Sequence, residues 1–113
     1  MTARARGVRE QYAELERARY GRSWTPEEVM LGFVGDVGDL AKLVQGKAGV
    51  RDREALDEAL AHELADCLWA VLVLADAYGV DLAAAFEATM DELGGVLPPA
   101  GTGVGSSQAG PTA

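Results

Sequence analysis

The chain has 113 residues, 49% of them hydrophobic, with 18 acidic against 10 basic side chains and a net charge of −8. That is enough for one globular domain with a modest core, near the size at which association with a second copy adds useful burial. The acidic balance excludes a broad basic surface for a nucleic-acid polymer; one cysteine, Cys67, excludes a disulfide framework and a cysteine-rich zinc site. The longest apolar run, Cys67 to Leu74 between Asp66 and Asp76, is far too short to span a bilayer. The N-terminus, MTARARGVREQY, has basic residues with no apolar stretch behind them, so no secretory signal and a cytoplasmic location are expected.

Four helices are predicted, in an all-α chain without strand patterning. The first spans about Arg6 to Tyr20, with Val8, Tyr12, Leu15 and Arg19 at helical spacing. After the link GRSW, Thr25-Pro26-Glu27-Glu28 reads as a helix start: a threonine N-cap, proline in the first position and a glutamate to complete a capping box. That second helix runs to about Val44 or Gln45. Following the loop GKAGVRD, Asp52 is the expected cap of a third helix from about Arg53 to Tyr78, stopped by Gly79. Asp81 caps the fourth, LAAAFEATMDEL, which should end at Gly94-Gly95. A helical domain over residues 1–97 and a Gly/Pro/Ser-rich, disordered tail over 98–113 are therefore expected.

The informative stretch is GFVGDVGDLAK, residues 32–42. At about 100° per residue, with Asp36 at zero, Val29, Phe33, Leu40, Leu43 and Val44 fall between about −20° and 80°, and Asp39 at about −60°. On the third helix, with Glu63 at zero, Leu56, Leu60, Cys67, Ala70, Val71 and Leu74 occupy the same arc, and Asp66 lies at about −60°. Each helix thus carries one acid inside its apolar stripe and a second at the border. Carboxylates facing a core are costly to desolvate and repel one another. No basic residue in the middle turns has a matching phase, and Lys42 sits well round the cylinder. A divalent cation with oxygen ligands, Mg²⁺ or Mn²⁺, accounts for the pattern. A di-iron bundle would call for Glu-x-x-His pairs, whereas the one histidine, His62, points about 100° away from Glu63.

GDVGDLAKL followed by HELADCLW resembles the MazG-like nucleoside triphosphate pyrophosphohydrolases. Their signature is one Glu-x-x-Glu pair and, a helix later, a Glu-x-x-Asp pair; Asp36 and Asp39 match the first, Glu63 and Asp66 the second, with 23 residues between. The likeness covers roughly Trp24 to Leu93. It implies a four-helix bundle-like fold completed by dimerisation, as a homodimer or homotetramer. It also implies hydrolysis of nucleoside triphosphates, with Mg²⁺, to monophosphate and pyrophosphate for house-cleaning of the nucleotide pool. By residue it makes Asp36, Asp39, Glu63 and Asp66 metal ligands, one of them open to acting as base on the attacking water, and places Trp24 where an aromatic stacks on the base in some relatives.

Two departures stand out. The first pair is Asp-x-x-Asp, each ligand one methylene short; Gly32, Gly35 and Gly38 are expected to allow a close helix crossing that compensates. Where many relatives carry a phosphate-contacting Lys and Asn, this chain has Thr89 and Leu93, which leaves Lys47, Arg51 and Arg22 as candidate phosphate contacts. A non-catalytic helical interaction protein of the same fold, or a hydrolase of another diphosphate such as phosphoribosyl-ATP, are the alternatives. Trp69, off the acid-bearing stripe, is expected at a dimer contact, His62 as a partly exposed structural side chain, and Cys67 as a buried small hydrophobe.

Overall fold

The computed structural model describes residues 1–49 and 55–100. They form four α-helices and no strand: α1 Thr2–Tyr20, α2 Pro26–Lys47, α3 Leu56–Ala77 and α4 Leu82–Val96. The chain divides into a unit of α1 to α3, Met1–Val80, and a second unit from Asp81 that contains α4. None of the described helices is by itself long and apolar enough to cross a membrane.

Within the first unit α3 is central, with α2 and α1 both packed against it. This explains a departure from the single-stripe expectation. Ala70 lies in the predicted arc and is buried, but Val73, at about −80° from Glu63, is buried too. Trp69, further round, donates its indole N–H to the Ala5 carbonyl at 3.2 Å. Its ring meets that of Tyr12 at 5.6 Å between centroids. Trp69 thus makes a contact with α1 of its own chain, where the sequence led to the expectation of a dimer contact; α3 needs a second apolar face because it has two neighbours. The core so formed is small: Ala5, Val29, Leu43, Ala70 and Val73 are its buried apolar residues. On α2, Leu31 and Val34 remain 71% and 58% exposed, so one face of that helix is apolar and uncovered within the first unit.

The start of α2 forms as its sequence dictates. Thr25 has extended backbone, its hydroxyl accepts from the Glu28 N–H at 3.2 Å, and the Glu28 carboxylate accepts from the Thr25 N–H at 2.9 Å. Arg22 closes on the same carboxylate with two bonds of 2.7 and 2.8 Å. The Arg22 fork, followed by the backbone N–H of Thr25, lowers the Glu28 carboxyl to about 2. At the other end of α3, Gly79 takes φ 68°, while its N–H bonds to the Asp76 carbonyl and that of Val80 to the Ala75 carbonyl. This pair of bonds is the Schellman arrangement that a left-handed glycine permits.

Helix boundaries differ from expectation at three places. α1 starts at Thr2, four residues early, with the Ala5 N–H bonded to the Met1 carbonyl. α2 extends to Lys47 through Gly46. α4, capped by the Asp81 carboxylate on the Ala84 N–H at 3.1 Å, runs through Gly94 and Gly95 to Val96. A glycine inside a helix costs only about 1 kcal/mol relative to alanine, which neighbouring turns can absorb. The expected Asp52 cap lies outside the described residues, but α3 begins at Leu56 and not at Arg53, because Ala55 takes the left-handed conformation at φ 52°.

The glycines of α2 do not do what their spacing suggested. A Cβ placed on Gly32, Gly35 or Gly38 would meet nothing within 4 Å. The described helices make no close crossing there.

Candidate functional site

The juxtaposition of α2 and α3 brings acids from both helices together. One carboxylate oxygen each from Asp36, Asp39 and Glu63 lies within 4.8 Å of the others. Asp36 and Glu63 are half-buried and Asp39 is exposed, as their phases on the two helices require. Asp66, the fourth expected ligand, stands outside this triplet. Its carboxylate is drawn to His62, one turn back on α3, at 3.1 Å. The i, i+4 spacing makes that contact available without moving the backbone. His62, 74% exposed, is therefore the partner of a site acid and not only a surface side chain.

The electrostatics of the triplet are those of like charges held together. Burial, then the charges of Asp66 and Asp39, raise the Asp36 carboxyl above its ordinary value, although a hydrogen bond with Glu63 works the other way. Glu63 is raised for the same reasons, burial first and then Asp36, Asp66 and Asp39. Cys67, half-buried one turn further on, is likewise pushed up by burial and then by the acids. Among the described residues no Lys or Arg forms an ion pair with Asp36, Asp39 or Glu63. The Glu63 Oε1 atom is buried without a hydrogen-bond partner. An orphaned anionic oxygen beside two further carboxylates fits a hard divalent cation, whose ligands are oxygens.

Next to this triplet lies a cavity of about 370 Å³. Its wall is formed by Gly32, Phe33 and Asp36 of α2, Trp69 and Ala70 of α3, and Tyr12, Tyr20 and Trp24 among others. Its size and aromatic lining suit a small planar ligand. Trp24 is 44% exposed and lines the cavity. Lys47 and Arg22 are not in the wall. Lys47 is paired with Asp57, and Arg22 is spent on Glu28. Arg51 lies outside the described residues. Thr89 and Leu93 are exposed on α4, in the second unit.

Sequence reasoning missed the contribution of α1. Tyr12, Glu16 and Tyr20 follow one another at i, i+4 along the cavity side, joined there by Arg9 and Arg19. The available signal was an acid, Glu16, spaced between two tyrosines on one helix face.

Comparison with known families decides the classification: the MazG nucleotide pyrophosphohydrolase domain matches residues 24–98. The chain belongs to the MazG family. The matched segment begins at Trp24 and contains α2, α3 and α4, and with them all four acids of the two MazG pairs. Of the MazG chain's helices, only α1 precedes the match. No curated protein and no solved structure gives a match.

Proposed function

We propose that this MazG-family chain is a cytoplasmic Mg²⁺-dependent pyrophosphohydrolase that cleaves (deoxy)nucleoside triphosphates to monophosphate and pyrophosphate, in a house-cleaning role on the nucleotide pool. The observation that carries this reading is the shared position of Asp36. It belongs at once to the three-carboxylate cluster and to the wall of the aromatic cavity. A ligand with a planar ring in the cavity would present an attached phosphate chain to the acids.

In this reading the catalytic domain is residues 1–97, and Asp36, Asp39 and Glu63 hold Mg²⁺, or Mn²⁺ in its place. Such an ion, when bound, offsets phosphate charge and lowers the pKa of a bound water. Hydrolysis adds the hydroxyl of water to the phosphorus that stays with the nucleoside, while pyrophosphate leaves. Asp66, beside the triplet and steadied by His62 at 3.1 Å, serves as a further ligand or takes the proton of that water. Trp24 stacks on the base, with Tyr20 and Phe33 completing an apolar enclosure. The uncovered apolar face of α2, with Leu31 and Val34, supports a homodimer or homotetramer in solution.

One observation favours a second reading, a non-catalytic protein that keeps the metal site. Thr89 and Leu93 replace two phosphate-contacting residues, and Lys47 and Arg22 are engaged in ion pairs elsewhere. The deciding experiment is pyrophosphate release from a panel of canonical and modified nucleoside triphosphates, with Mg²⁺ and with EDTA. Metal-dependent pyrophosphate from one or a few of them is the expected result. Calorimetric Mg²⁺ or Mn²⁺ binding with no product from any substrate excludes the triphosphate reading and leaves the non-catalytic protein or a hydrolase of another diphosphate.

A further inference from the structure

Residue 24 is gripped from both sides of its backbone by a single charged pair on α1. The Glu16 Oε1 atom accepts from the Trp24 N–H at 2.7 Å. The Arg9 Nη2 atom donates to the Trp24 carbonyl at 2.7 Å. Arg9 and Glu16 bridge to one another at 3.3 Å, which closes the ring of contacts. Glu16 is 6% exposed and is the buried charged residue of the described chain. A buried carboxylate is costly unless it is paired and fully hydrogen-bonded. Here one of its oxygens receives both an arginine and a backbone amide, and charge-assisted bonds of this kind are the strong ones.

The link from Gly21 to Thr25 is already fixed at its two ends. Gly21 ends α1 at φ 81°, and Thr25 opens α2 through its capping box. The capping box also holds the Thr25 N–H on Glu28 at 2.9 Å, and Arg22 donates to the Ser23 carbonyl at 3.2 Å, but the N–H and carbonyl of Trp24 itself are held by Glu16 and Arg9. The indole, in contrast, has little besides the backbone to hold it, being 44% exposed over the cavity. A stacking platform is useful only when its plane is set before the ligand arrives, since ordering it on binding weakens affinity. The grip on both backbone groups of residue 24 fixes where its side chain starts and so narrows the positions its ring can take over the cavity, and Tyr12 and Tyr20 flank Glu16 on the same helix face.

We propose that Arg9 and Glu16 are positioning residues that hold the Trp24 ring in place as a wall of the cavity, so that α1, which precedes the family match, sets how tightly a base-bearing substrate binds. This rests on the nucleotide reading given above. Stacking is made equally with substrate and transition state, so its loss raises KM and leaves kcat alone. Base–aromatic stacking is worth roughly 5- to 150-fold in affinity, and a platform that is loosened but still present forfeits the lower part of that range.

The test is steady-state kinetics of Glu16→Ala, Glu16→Gln and Arg9→Met. The substrates are the best nucleoside triphosphate from the panel and inorganic tripolyphosphate, which has the phosphoanhydride but no base. Glu16→Ala and Arg9→Met should each raise the nucleotide KM about five-fold or more, with kcat and the turnover of tripolyphosphate within two-fold of wild type. Glu16→Gln, which keeps an acceptor for the Trp24 N–H, should recover most of the nucleotide KM. Arg9→Met leaves the buried Glu16–amide bond in place and answers the question even where Glu16→Ala does not fold. An active wild type whose KM is indifferent to both substitutions overturns this proposal alone. An equal fall in turnover of both substrates also overturns it, since the pair would then act on the fold or the acid cluster. A wild type that neither binds nor cleaves any triphosphate overturns the functional reading, and this proposal with it.

Discussion

Asp36→Asn should make the metal-free protein more stable and the metal-loaded protein less so. Without a cation, Asp36 faces two further carboxylates within 4.8 Å. Unit charges at that distance repel by about 1 kcal/mol at the permittivity of water and about 3.5 kcal/mol at an effective permittivity near 20. Two such pairs involve Asp36, which puts the gross repulsion at roughly 2 to 7 kcal/mol. Side-chain relaxation and salt reduce this, so a net gain on the order of 1–2 kcal/mol is expected on neutralisation, or about 4–10 °C in Tm. The pH dependence has the same sign. The folded-state value of Asp36 is raised, chiefly by burial. Its contribution to stability is thus fully present below the ordinary carboxyl range and is lost as pH rises through the raised value. A cation reverses the balance: at 100 times its Kd it stabilises the fold by about 2.7 kcal/mol, and the Asn variant forfeits most of that. Thermal unfolding in EDTA and in saturating Mn²⁺ reads both effects. A variant that melts lower in EDTA, or that keeps the full Mn²⁺ shift, would refute the assignment of Asp36 to a repulsive, cation-holding cluster.

Glu63→Gln preserves shape but removes one anionic donor, so turnover should fall at least about 100-fold while Tm in EDTA does not drop; wild-type turnover would show the site to be elsewhere. Trp24→Ala should raise nucleotide KM roughly 5- to 150-fold with kcat little changed, read in the same pyrophosphate assay; an unchanged KM would remove the indole from binding. Glu28, held at about 2 by Arg22 and Thr25, stabilises the start of α2 in full above the ordinary carboxyl value of 4.5 and loses that contribution as pH falls through about 2. Urea unfolding of wild type and Glu28→Gln should accordingly differ most at pH 6–7, with the difference narrowing as pH falls below 4.5 toward 2; a constant difference would exclude the ionised carboxylate as the cause.

What the sequence made legible and what it hid have separate physical origins. Capping is local chemistry, so Thr25-Pro26-Glu27-Glu28 and Gly79 were readable from adjacent residues, and both form as expected. The phase of an acid on a helix follows from its period alone, which is why Asp36, Asp39 and Glu63 converge. Asp66 has the right phase as well, but its side chain had a choice of partners, and His62 took it. Rotamer choice does not follow from periodicity. The contact of Trp69 with α1 was missed because a stripe analysis assumes one neighbour, and α3 has two. Most of the aromatic wall was invisible for a related reason: Tyr12 meets Trp69, and the tyrosines of α1 come to line one cavity with Phe33, only through packing between distant segments. The replacement for the missing phosphate contacts was not readable either, since Lys47 and Arg22 had nearer acids to bind.

The glycines of α2 have a consequence for motion. Gly32, Gly35 and Gly38 touch nothing that would compensate their cost, and each weakens the helix by about 1 kcal/mol relative to alanine. They bracket Asp36 and precede Asp39, so the softest turns of α2 are the ones that carry two of the three clustered carboxylates. Amide protons there should exchange with solvent faster than those of α3, whose matching turns hold only Ala, Leu, Cys and other stronger helix formers around Glu63. The oxygens of the cluster can then adjust their separation by small changes in one backbone while the other stays fixed. A pair of aspartates, each a methylene shorter than glutamate, needs that freedom of approach.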